Sequence, residues 1–135
     1  MRLRSSRGQS MVEFALILPA LMLVFLGCMQ LGLAFFSYEQ VTSAANAAAR
    51  AAAVNRAGDP QSAALAAARS ISPSLGLDDS QVSVTYASTA SPADAAWTYP
   101  GTTTVTVTYP YTVGLFGQFS QSIDLTATAT KRVER

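Results

Sequence analysis

The apolar and polar positions of this chain change their period twice. From Phe14 to Tyr38 the sequence runs through twenty-five residues without one charge. As a helix rising about 1.5 Å per residue, that run exceeds the roughly 30 Å hydrocarbon core of a bilayer. From Tyr38 the pattern continues in small residues, and the next breaker is Gly58-Asp59-Pro60. A single long helix to about Ala57 is expected, with Ala45, Ala48, Ala49 and Ala52 on one stripe suited to close packing. Asp59 before Pro60 reads as a cap opening a second, short helix to about Ile71, which Ser72-Pro73 ends.

Beyond Asp79 the period falls to two. QVSVTYA places Val82, Val84 and Tyr86 on one face and Ser83 and Thr85 on the other. TTVTVTYPY sets Val105, Val107, Tyr109 and Tyr111 against Thr104, Thr106 and Thr108, and SIDLTATAT aligns Ile123, Leu125, Ala127 and Ala129. One-sided alternation predicts a small antiparallel sheet of about three strands. Pro110 belongs at an edge or bulge, because it cannot donate to a central ladder. Ser88 to Gly101 reads as a long connection carrying Trp97, placed against the sheet, and GLFGQ around Gly114 to Gln118 as a turn. Three strands alone are marginal, so the sheet needs the exported part of the long helix as its cover. The fold class is α+β, divided into a basic leader (1–8), a transmembrane helix (9–38) and an exported domain (39–135).

Charge fixes the expected orientation. Arg2, Arg4 and Arg7 precede the apolar run, and the next cation after it is Arg50. The positive-inside rule keeps the N-terminus in the cytoplasm and exports the C-terminal part, a single-pass protein of the cytoplasmic (inner) membrane with lipid as a partner. A secretory signal fits poorly. Its apolar core spans about 7–15 residues before an A-x-A-like site, whereas here the first alanine-rich candidate, Ser43 to Ala51, lies beyond the run.

Within 135 residues of net charge +1, several chemistries lack their usual groups. No basic run beyond the terminus marks a nucleic-acid surface. Histidine is absent from the sequence, which removes the commonest general base and metal ligand. No nucleophile elbow, phosphate loop or Cys-x-x-Cys stands in the chain. Neither a cofactor, a metal nor a small-molecule substrate is expected, and the chain reads as a peptidase substrate rather than an enzyme. Cys28, in the apolar run, reads as a small hydrophobe, and Asp78-Asp79 as a solvated turn or helix cap.

One residue resists the membrane pattern. Glu13 stands at the start of the run, at the fifth position after Gly8 and directly before Phe14. Read from the residues alone, it is a carboxylate resting near a helix N-terminus, where the macrodipole favours it. Pro19, inside the run, cannot donate to the Ala15 carbonyl and bends the axis. The basic leader MRLRSSRG followed by QSMVEF resembles the processing site of type IV pilin-like proteins. More closely, RGQSMVEFALILP with LGLAFFSYEQVTSAANAAARAAA, and again VTVTYPY with LTATATKR, resembles the TadE-like minor pilins, or pseudopilins, of the tight-adherence (Flp) pilus system.

The resemblance implies a membrane-anchored subunit that takes part in assembling a tight-adherence pilus. A prepilin peptidase would cut after Gly8 and leave Gln9 as the new N-terminus. Glu13, beside Phe14, would then pair with the terminal amine of a neighbouring subunit. Expected partners are the peptidase, other pilins and pseudopilins, and an inner-membrane assembly platform driven by a separate ATPase. Two other readings stay open at this point. One is an uncleaved, membrane-anchored extracellular binding module; the other is a domain released by signal peptidase with a start near Ala48.

Overall fold

The computed structural model describes residues 6–55, 59–88, 101–115 and 119–133. The leader arginines Arg2 and Arg4, Gly58, the connection with Trp97, the tip of GLFGQ at 116–118 and the last two residues lie outside the described residues. By its internal contacts the chain divides into two compact units, Met1–Leu33 and Ala34–Arg135. Helix α1 (Ser6–Val54) runs through both.

In the first unit, α1 is apolar on every side. Leu16, Leu23 and Phe25 are exposed around the helix, and none of its most apolar window is buried. A helix that is hydrophobic all round and has no protein cover belongs in lipid or in a helix assembly. It is long and apolar enough to cross a membrane. Pro19 sits inside it, and the helix continues past that residue.

The second unit is an α+β domain. α1 stops at Val54, three residues short of the expected Ala57, where a β-branched residue is followed by Asn55, and both are weak helix formers. Helix α2 (Pro60–Ile71) starts as the sequence predicts. The Asp59 carboxylate accepts from the backbone N–H groups of Gln61 at 3.1 Å and Ser62 at 3.2 Å, with Pro60 opening the first turn. At its other end the Ser72 N–H donates to the Ala68 carbonyl. A 3-10 turn, Pro73–Leu75, follows and closes on Gly76, whose φ of 55° favours glycine. A second such turn, Asp79–Gln81, leads into the sheet, and the Asp78 N–H donates to Gln81 Oε1 at 2.8 Å. Asp78 therefore caps a turn, one of the two roles expected for the acidic pair.

Strands β1 (Val82–Ser88), β2 (Gly101–Leu115) and β3 (Phe119–Val133) form one antiparallel sheet in the order β1-β2-β3. Register pairs Val84 with Val105 and Val107 with Ala127, so the predicted apolar positions share a face. Val82, Val105, Val107, Ala127 and Ala129 are buried there, and they form one core with Val41, Ala44, Ala45, Ala48, Ala49 and Ala52 of α1 and Ala64 and Ala68 of α2. On the opposite face threonines stand in rows: Thr104 bonds Thr130 at 3.1 Å and Thr106 bonds Thr128 at 3.2 Å through their hydroxyls.

β1 pairs β2 only from Gly101 to Val107, so beyond that point β2 and β3 continue as a two-stranded ribbon. Pro110 falls on the ribbon, where β2 is an edge strand and its missing N–H costs no central ladder bond. β2 continues through Gly114 to Leu115, past the expected start of the turn. Ile123, on the apolar side by alternation, is 51% exposed because it too lies on the ribbon, opposite Tyr111.

Candidate processing and docking site

The residues singled out by the sequence all lie on about the first four turns of α1. Gly8 is exposed, and a Cβ placed on it would meet nothing within 4 Å. Its lack of a side chain therefore answers no packing need in this chain. Gln9 and Glu13 are four apart, hence on one face of the helix. They touch: Gln9 Nε2 donates to Glu13 Oε1 at 3.1 Å. Phe14 is 62% exposed, without a core to enter. Pro19 is six residues beyond Glu13, and at 3.6 residues per turn it does not share the Gln9–Glu13 face.

The structure thus brings Gln9 and Glu13 together and leaves Phe14 and Pro19 apart from them. The contact of Gln9 with Glu13 goes beyond the sequence reading, although the i, i+4 spacing is a signal that could have found it. Glu13 is a carboxylate at the edge of a surface otherwise made of Met11, Val12, Phe14, Leu16 and Ile17, all exposed. Among the described residues its one hydrogen bond comes from a neutral amide, and its second oxygen can accept from another donor. On an apolar surface such a group is costly to cover unless a cation or donor arrives with the covering partner.

Elsewhere, the described residues hold no group of three or more His, Cys, Asp or Glu side chains placed to bind a metal. A cleft of about 650 Å³ in the second unit is lined by Asn46, Arg50, Ser70 and Lys131 over an apolar floor that includes Ala51 and Ile71. Its polar groups are cations and neutral donors.

Residues 8–50 match the family model of TadE-like protein. The α1 segment is TadE-like. The match begins at Gly8 and ends inside α1, so it takes in every residue of the candidate site and none of the sheet. No curated protein and no solved structure matches the chain. A TadE-like segment on an apolar helix of membrane length fits a membrane-anchored component of a tight-adherence pilus, and the TadE-like family is one of pilus components rather than enzymes.

Proposed function

We propose that the chain is a pseudopilin processed by a prepilin peptidase between Gly8 and Gln9 and used in assembling a tight-adherence pilus. The observation that carries this reading is the placement of Gly8 and Glu13, five apart, at the head of an exposed apolar helix within the TadE-like match. The helix anchors the protein in the cytoplasmic membrane with the leader inside and the α+β unit exported, in keeping with the three leading arginines.

Glu13 then has a physical task. Cleavage leaves an ammonium at the head of a helix in an apolar setting, where an unpaired charge is expensive. A carboxylate of a neighbouring subunit offsets that cost in one register only, because any slip strands both charges. Glu13 and the Gln9 amine of adjacent subunits supply the pair, Phe14 packs in the helix assembly beside it, and Pro19 bends the helix above it. Other pilins and the inner-membrane platform are the partners of this step.

The test is the mature N-terminus, read by mass spectrometry on membrane-purified protein with and without the peptidase. A peptidase-dependent start at Gln9 supports the reading. A start at Met1 in both conditions overturns it and favours an uncleaved, membrane-anchored binding module.

A further inference from the structure

Processing after Gly8 exposes the α-amine of a glutamine, and that residue carries its own electrophile. The amine nitrogen can attack Cδ of the same side chain. A new N–Cδ bond forms, the Cδ–Nε2 bond breaks, and the amide nitrogen leaves as ammonia with the proton given up by the amine. The product is a five-membered lactam, pyroglutamate, which is neutral. A chain closed in this way has no ammonium to offer a neighbour's carboxylate.

In the structure the amide is held elsewhere. Gln9 Nε2 donates to Glu13 Oε1 at 3.1 Å, so the amide is engaged with a residue one turn further along the helix. Both residues are exposed, and among the described residues this bond is the one contact that holds the amide. The carboxylate has two oxygens, so Oε1 can keep the amide while Oε2 takes a donor from another subunit.

We propose that Glu13 is a positioning residue for the mature N-terminus: by holding the Gln9 amide it slows closure to pyroglutamate and preserves the ammonium that docking uses. This inference rests on processing after Gly8. The within-chain role is separate from pairing between chains, since it acts on a single subunit before any neighbour arrives.

The experiment follows the N-terminal peptide of the full-length, peptidase-cleaved protein in membranes by mass spectrometry over time, reading loss of one ammonia at Gln9. An i, i+4 pair of this kind shifts a local equilibrium by about two-fold, so Glu13→Ala is expected to close about twice as fast as the wild type. Glu13→Gln keeps an oxygen that accepts the same bond and is expected to restore the slow rate. If Glu13→Ala is not cleaved, Glu13→Leu takes its place. Equal rates in the wild type and the apolar variant overturn the inference while leaving processing intact. A chain that starts at Met1 overturns both.

Discussion

Gly101 carries no side chain at the point where the Tyr86 ring reaches diagonally across from β1. A Cβ there would fall on the ring's Cζ and Oη. The glycine is therefore required by a close approach in the sheet and not by a turn. Gly101→Val is expected to destabilise the α+β unit by about 1–3 kcal/mol. Chemical denaturation of the full chain in detergent measures it, and the penalty should shrink when Tyr86→Ala is added. Thr103, two residues on, raises the opposite expectation. It is fully buried, and its hydroxyl has no hydrogen-bond partner. Thr103→Val keeps the shape and removes the stranded polar group, so the same experiment should show a gain of about 1 kcal/mol. Neither contact was legible in the sequence. Local alternation places both residues on the covered face, but which ring lies over which glycine depends on the register between strands.

At the scale of elements, much more could be read in advance. The phase of all three strands follows from the alternation of valine or alanine with threonine, because a one-residue slip would turn every threonine into the core. The limits of α2 follow from Asp59, Pro60 and Ser72, each of which acts within a turn of its own position: the Asp59 carboxylate accepts from the first N–H groups, Pro60 opens the first turn, and the Ser72 N–H closes the last. Strand length was harder. Pro110 falls on an edge, as expected, yet β2 runs on to Leu115, into the segment read as a turn, because β3 pairs with it that far. The 3-10 turn at Pro73–Leu75 was harder to foresee, because a distant residue meets it: Ser74 Oγ donates to Gln40 Oε1 of α1 at 2.6 Å. The alanine stripe was evident and makes a sharp prediction. Ala48 is fully buried where α1 meets the core. Ala48→Leu adds volume to a contact built for methyl groups and should cost about 1–3 kcal/mol, seen as faster proteolysis of the α+β unit.

For the molecule as a whole, the membrane is the environment that makes sense of the first unit. Its exposed apolar side chains predict that the protein stays with the membrane fraction after an alkaline carbonate wash. Val24→Arg, near the middle of the apolar run, should weaken insertion by about 2.5–3.5 kcal/mol and move part of the protein into the wash. The candidate site was largely legible at this scale. The Gly8–Glu13–Phe14 spacing stands in plain sequence, and the TadE-like match covers it. Docking was legible only through resemblance, because pairing between chains leaves no trace in the periodicity of one.

The buried surface of the α+β unit is made mostly of alanine, with valine on the sheet and at Val41 of α1, and Leu75 and Leu77 beside the turns. Alanine has no rotamers to freeze and little hydrocarbon to hide, so such a core forms at low entropic cost and exposes few methylenes when it opens. Its heat-capacity increment on unfolding should accordingly fall below the ordinary 12–15 cal/mol/K or so per residue. A flat stability curve follows: calorimetry of the full chain in detergent should trace a broad transition for the α+β unit, with stability that changes little over a wide range of temperature.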